Sequence, residues 1–432
     1  MSFKVLAGPY MNSLVLAAAE PIMDPAAVAT FPVGNLRDNR SALPAIFSVA
    51  QLDSSIVFDL NRVRGGSAEV AGDDTEWTPF LSGTVALSAA HAVSGAASLE
   101  LSPLSGSMIA IQDIRVRAGE QLHFMASAGY TVDSNHAQVF VRNRQTGNFL
   151  QDDGTWAPPT ASDGSMSSAG TPLVDGVAAG WSDVDLPFTV EPFSTCKHDV
   201  VTLRIFLYSE GVGYFDDLAL WPLNNWCSIH GHNLSPFIVP KLQSSDDGTT
   251  WATEATMTIK PDSFYSALGS MLDHRYWNLL LEGYPYPSPL TYLGEVVLGQ
   301  SFDLLHNPAY GGSISWNDRQ TRLETAMGES WVYLHNARAL RLLSMSFVFR
   351  NDAEYVQFRD AVFRGSRGGA NPIVIAPIEE DSDQVILGKI QEAVTVTKPA
   401  LRTADLEVIE SPLPNMPDPI HAFDLPIEGE PL

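Results

Sequence analysis

The chain has 432 residues, a hydrophobic content of 45% and a net charge of −25, which suits roughly three domains of about 150 residues each. So few Lys and Arg argue against nonspecific nucleic-acid binding, which needs cations to meet phosphates, and no apolar run approaches the roughly 20 residues of a membrane span. Two cysteines, Cys196 and Cys227, make neither a disulfide framework nor a zinc-site spacing, so a reducing compartment is expected.

Residues 1 to 30 offer a short strand, Phe3 to Leu6, and an Ala-rich stretch, together read as an arm or edge element. The apolar stretch from Met11 to Met23 is short, is broken by Asn12 and Glu20 and lacks a basic start, so it is not read as a signal peptide. Turn residues Asn35, Asp38 and Asn39 precede a strand from Ser55 to Leu60, and Gly65-Gly66 ends it.

From about Ser67 to Pro222 the pattern is all-β. Ala96 to Leu101 and Met108 to Ile111 alternate, and Ile114 to Ala118 leads into a turn at Gly119-Glu120. Gln121 to Ala126, Val139 to Arg142, Val184 to Val190 and Val200 to Leu207 are the further strands, and Pro158 to Gly170 is a surface loop. Short strands separated by turn signals predict a sandwich.

Four stretches in this region carry a resemblance. Trp77 follows an acidic opening. His91 to Leu99 matches a strand with Gly, Ser and Leu, Val116-Arg117-Ala118-Gly119-Glu120 matches a hairpin, and Phe215-Asp216-Asp217-Leu218 matches a closing strand. In this order they resemble a jelly-roll, galactose-binding-like carbohydrate-binding module. That resemblance implies sugar contact through aromatic faces, with Tyr130, Trp156 and Trp181 as candidates and Trp156, in the most polar loop, expected to be exposed. It also implies a structural Ca²⁺ held by Asp217 and Asp216, with Glu69, Asp73 and Asp74 as partners.

Tyr214 to Leu234 forms a seam where two β-patterned units meet with almost no linker. Beyond it, strands are expected at Ile229 to Asn233, Ile238 to Ser244, Tyr276 to Leu281 and Leu293 to Leu298, with an Asp-Gly hairpin turn at Asp247-Gly248. Together with Asn35 to Asp38 and Ile56 to Leu60, these segments resemble the discoidin-like sandwich of bacteriophage tail-tip proteins.

Residues 300 to 411 differ. A strand ends at Phe349, and Asp352 to Phe363 has helical spacing with Tyr355, Phe358 and Val362 on one face. Asn351 caps this helix and Gly365 ends it. Strands follow at Pro372 to Ile375 and Val385 to Val396. This order resembles the ring-forming module of phage distal-tail and baseplate proteins. The Pro- and acid-rich 412–432 is read as an extended arm.

The fold expected is mainly β: a jelly roll (67–222) inserted in a discontinuous discoidin-like sandwich (31–66 and 223–300), then an α+β ring module (301–411). No Gly-x-Ser-x-Gly elbow, His-Glu-x-x-His helix or phosphate-binding loop occurs, so no enzyme is expected. His230-Gly231-His232 places two imidazoles on one face of a strand, with no third metal ligand in view. The resemblances imply a structural component of a phage tail tip, assembled in the host cytoplasm. Its partners would be copies of itself in a homo-oligomeric ring, the tail tube, hub and tail fibres, and host cell-surface polysaccharide. A secreted, non-catalytic glycan-binding protein and a pure scaffold are the alternatives.

Overall fold

A computed structural model describes residues 3–7, 22–24, 45–48, 53–66, 68, 73–79, 83–89, 91–104, 106–117, 119–131, 136–159, 172–178, 180–191, 200–208, 211–261, 263–283, 290–304, 313–317, 320–324, 330–334, 340–359, 362, 372–376, 385–390, 395–397 and 402–410. The chain is mainly β and divides into two compact units. One comprises Leu14–Ala18 and Leu60–Leu223, and the other Met1–Ser13, Ala19–Asp59 and Asn224–Leu432.

The Leu60–Leu223 unit is a sandwich of two sheets. Among the described residues the first runs Trp156–Ala157, Phe149–Leu150, His136–Asn143, Val200–Tyr208, Met108–Arg115, Thr78–Pro79, with Val174–Asp175 also on His136–Asn143. The second runs Val177–Ala178, Gln121–Tyr130, Gly213–Pro222, Ser98–Pro103, Gly83–Ser88, with Ser182–Thr189 also on Gln121–Tyr130. Side chains alternate across a strand, and here alternation sets the core. Leu122, Phe124, Ala126 and Ala128 from one sheet share a cluster with Val201, Leu203, Ile205 and Leu207 from the other. Trp77 is buried in it too.

The two strands expected at 108–111 and 114–118 are one, Met108–Arg115. Gln112 and Asp113 do not interrupt it, because Asp113 points away from the core and bonds the Thr202 hydroxyl on the neighbouring strand at 2.7 Å.

The entry segment of this unit is stitched to its closing strand, Gly213–Pro222. The Arg62 amide donates to the Leu220 carbonyl at 2.8 Å, and the Asn61 carboxamide oxygen accepts from the Val63 and Leu220 amides at 3.0 and 2.9 Å. Register shifts between Asp216 and Ala219, and Asp217 takes a positive φ of 51°, as β-bulges do. Gly66 makes this approach feasible, since a Cβ there would lie 1.9 Å from the Leu218 carbonyl oxygen.

The other unit contains three larger sheets. Among the described residues, Ile22–Asp24, Asp53–Asp59, Tyr276–Glu282, Val239–Ser245 and Ala252–Thr256 form one. Ser263–Leu272, Asn224–His232, Leu290–Gly299 and Ala45–Ser48 form the second. The third orders Phe302–Leu304, Phe3–Ala7, Ile373–Ala376, Ile386–Ile390, Arg402–Glu410, Leu340–Phe349 and Ser313–Asn317, with Thr395–Thr397 on Arg402–Glu410. Within the first sheet Arg275 grips Asp59 bidentately at 2.9 and 2.7 Å. The hairpin turn at Asp247-Gly248 is present, with Asp247 accepting from the Thr249 and Thr250 amides. These donors hold its carboxyl far below the usual carboxylate range.

Ile373–Ala376 is apolar on both faces because both faces are covered. Ile373 and Ile375 pack with Phe347, Phe349 and Phe358, whereas Val374 and Ala376 pack with Trp226 and Val297 of the second sheet. The α-helix is Asp352–Phe358, and Arg359 and Val362, within the expected helical stretch, have π-helical geometry. Asn351 caps the helix, its carboxamide oxygen accepting from the Glu354 amide at 2.9 Å and its carboxamide N–H donating to the Glu354 carboxylate at 2.9 Å.

The N-terminal strand expected as an edge is interior. Phe3–Ala7 pairs with Phe302–Leu304 on one side and Ile373–Ala376 on the other. Sequence alone shows its strand propensity but not the distant partners that flank it. The expected segments Asn35–Asp38, Pro158–Gly170 (from 160 on) and 412–432 lie outside the described residues.

Candidate functional site

The three aromatic candidates do not come together. Trp156 stands opposite Leu150, so it shares the inward side of that strand pair. It is half-buried, as Tyr130 and Trp181 are, and packs against the core. Its indole Nε1 donates to the Thr189 carbonyl at 2.9 Å and its ring meets Phe188 edge-on at 5.9 Å, so it clips the edge strands of the two sheets together. Tyr130 follows the inward phase of Ala126 and Ala128 and also packs on the core.

Trp181 lies on the opposite, outward face of the second sheet. It reaches Gly129, where an added Cβ would stand 3.6 Å from its Cδ2 and 2.3 Å from the Gly180 carbonyl oxygen. The absent side chain at 129 leaves that space to the indole. Register continues the row: Gly129 stands opposite Tyr214, and Tyr214 opposite Glu100. The exposed His91 ring leans on Tyr214, 4.1 Å between centroids and tilted by 40°. Trp181, Tyr214, His91 and Glu100 therefore form one band of rings ending in a carboxylate. Burial and the Glu100 charge both push the Tyr214 phenol up from its ordinary value.

His91 is held there by the Asp216-Asp217 pair. The buried Asp216 carboxylate accepts from the Val93 amide at 2.8 Å, the Ser94 amide at 3.2 Å and the Asp217 amide at 2.8 Å. The Ser94 hydroxyl donates to Asp217 at 2.5 Å. Farther along the face His123 stacks on Trp221 at 4.4 Å and pairs with Asp185.

These contacts bear on the expected calcium site. Asp216 turns its lone pairs to N–H donors, the arrangement of a loop anchor. Asp74 sits in the turn Asp73–Glu76, and Glu69 lies outside the described residues. Among the described residues no three His, Cys, Asp or Glu side chains gather at metal-binding range. The two histidines near the seam have partners of their own. His230 is buried, meets the Ser228 hydroxyl at 2.9 Å and is pushed down to about 3 by burial, then by the Arg341 charge. His232 bonds the Lys260 carbonyl at 3.0 Å.

Burial raises the Asp216 carboxyl to about 6, outweighing the N–H bonds it accepts. Between about pH 4 and 6 the folded state then keeps a proton that the unfolded chain releases, so this group's contribution to stability declines as pH rises through that window. Asp216→Asn lacks the titration. The melting-temperature difference, wild type minus variant, should fall from pH 4 to pH 6 and then level off. A difference independent of pH would contradict the assignment.

Tyr214, His91 and Glu100 were not legible as site residues. A signal existed for Tyr214: with Phe215 facing inward, its neighbour must face out.

No family model matches the chain, and no curated protein matches it in sequence. Similar solved structures include the xylan-binding CBM22-1 domain of Paenibacillus barcinonensis Xyn10C, at 12% identity over 38% of this chain and 91% of that one, with a TM-score of 0.25. The C-terminal family 22 carbohydrate-binding module of Clostridium thermocellum Xyn10B has 14% identity over 38% and 92%, with a TM-score of 0.25. The enzymatically active domain of bacteriophage CBA120 tailspike protein 4 has 16% identity over 38% of this chain and 22% of that one, with a TM-score of 0.28.

Proposed function

We propose that the Leu60–Leu223 unit binds polysaccharide, without cleaving it, through the outward face of its second sheet. The observation that carries this reading is the band formed by Trp181 laid against Gly129 and by the exposed His91, which packs on the buried Tyr214, closed by Glu100. Sugar C–H faces stack on aromatic rings, and a carboxylate accepts from hydroxyls. The rest of the chain is read as a structural part of a phage tail tip, assembling with copies of itself and with tube, hub and fibre proteins. The motif order of the sequence supports that part of the reading. One such site would bind at about millimolar strength, about −4 kcal/mol, and several copies on one particle would raise the avidity without any new contact.

The test uses the full chain on immobilised bacterial cell-surface polysaccharides. Trp181→Ala should weaken binding about tenfold, equivalent to about 1.4 kcal/mol, with little change in melting temperature because the ring is not part of the core. Trp156→Ala should instead lower the melting temperature. Binding that survives Trp181→Ala unchanged would remove this face as the site.

A further inference from the structure

We infer that the polysaccharide taken by this face carries free amino groups, so that the ligand is an unacetylated amino sugar presented as its ammonium. The inference rests on the polysaccharide reading above and adds the class of sugar.

Charge on the face is one-sided. Core-facing Val184, Leu186 and Phe188 fix the outward positions of Ser182–Thr189, where Asp183 and Asp185 are exposed. Core-facing Leu99 and Leu101 put Glu100 outward on Ser98–Pro103, the third strand over, and Asp216, fully buried, lies on Gly213–Pro222 between them. The same alternation over all the strands of this sheet places no Lys or Arg outward among the described residues. His91 and His123 are the basic side chains on the face among the described residues, and His123 is already engaged by Asp185. A uronic acid or phosphorylated sugar would meet the carboxylates of Asp183, Asp185 and Glu100 and no fixed cation, while Asp216 is fully buried and turned to N–H donors.

The rings point the same way. An ammonium near the face of a Trp or Tyr is attracted by the ring quadrupole; Trp181, over Gly129, is the partly exposed ring on the face, and Tyr214, opposite Glu100, is buried against the exposed His91. Carboxylates next to those rings supply charge-assisted acceptors for N–H donors. An unpartnered polar group lies beneath the same face. Ser98, two residues before Glu100 and also outward, is fully buried, and its hydroxyl has no hydrogen-bond partner in the protein. By contrast, the outward side of the first sheet carries Arg142 and Arg204, each 5.7 Å from the Phe149 ring. The acidic character is thus a property of one face of the sandwich and not of the unit as a whole.

The experiment titrates the full chain with three oligosaccharides of equal length: a glucosamine oligomer with free amines, its N-acetylated counterpart and a galacturonate oligomer. The free-amine oligomer should bind at least tenfold more tightly than the acetylated one, and the uronate should not bind. Raising salt from low to high should weaken the first several-fold and leave the second nearly unchanged, because exposed charge pairs are screened. Glu100→Gln and Asp183→Asn, both at positions that are not buried, should bring the amine oligomer toward the acetylated one. Trp181→Ala keeps every charge and should also weaken amine binding. If it does not, attraction of a polycation to an acidic protein accounts for the binding and the inference fails. Equal affinity for amine and acetylated oligomers, or preference for the uronate, overturns the amino-sugar assignment and leaves the polysaccharide reading standing. Failure of all three, together with the immobilised polysaccharides, removes both.

Discussion

Glu120→Ala is expected to destabilise the Leu60–Leu223 unit by about 3–5 kcal/mol, the usual cost of breaking a buried ion pair by removing one partner. The Glu120 carboxylate meets Arg62 bidentately, at 2.5 and 3.2 Å, with side-chain exposures of 0% and 1%. It also accepts from the Arg117 amide at 2.8 Å, which fixes the hairpin turn 117–120. Arg62 in turn reaches the Arg115 carbonyl at 3.3 Å. Truncating Glu120 strands the guanidinium in a dry site, where an uncompensated charge is expensive. Replacing both partners at once, Arg62→Met with Glu120→Leu, removes both desolvation costs and should be much milder than either single change. Denaturant unfolding, with hydrogen exchange along Gln121–Tyr130 to report on this unit, measures both. A loss under about 1 kcal/mol for Glu120→Ala, against the usual range for such pairs, would show that the pair is solvated in solution.

Trp226→Ala should cost a similar amount, about 3–5 kcal/mol, in the other unit. The indole is 1% exposed and stacks on Tyr265 at 4.4 Å with 13° between the planes. It fills the space between the Asn224–His232 sheet and the Ile373–Ala376 sheet, against Val297, Val374 and Leu387. Truncation opens a cavity between two sheets that cannot easily close. Its Nε1 has no hydrogen-bond partner in the protein, so Trp226→Phe sacrifices volume but no hydrogen bond and should cost less than half as much. Thermal unfolding of the two variants, followed by hydrogen exchange at Ile373–Ala376, separates them. Equal losses for Ala and Phe would mean that the indole N–H has a partner after all.

The mainly β class was legible because strand signals are local. Alternation at Gln121 to Ala126 and at Val200 to Leu207 predicts strands, and both are present, as Gln121–Tyr130 and Val200–Tyr208. The Asp247-Gly248 turn and the Asn351 cap were equally readable, because each bonds within a few residues of itself. The three aromatic rings proposed as one site were separated by facts that are not local. Trp156 was taken as exposed because its neighbours Asp152, Asp153 and Gly154 are polar, yet its register with Leu150 turns it inward. Tyr130 follows the inward phase of its own strand.

Period-two alternation says that neighbours on a strand face opposite ways. It does not say which way is inward when both sets are apolar, as in Gly213–Pro222, where Asp217 is the single position not buried. Sequence by itself determined the class, most strand positions and the helix cap, since these follow from residues close in the chain. Only the tertiary structure decided that Trp181, Tyr214, His91 and Glu100 share a face and that Arg62 finds Glu120, because those neighbours are set by strand register, and register is fixed by how distant segments bury their apolar sides against one another.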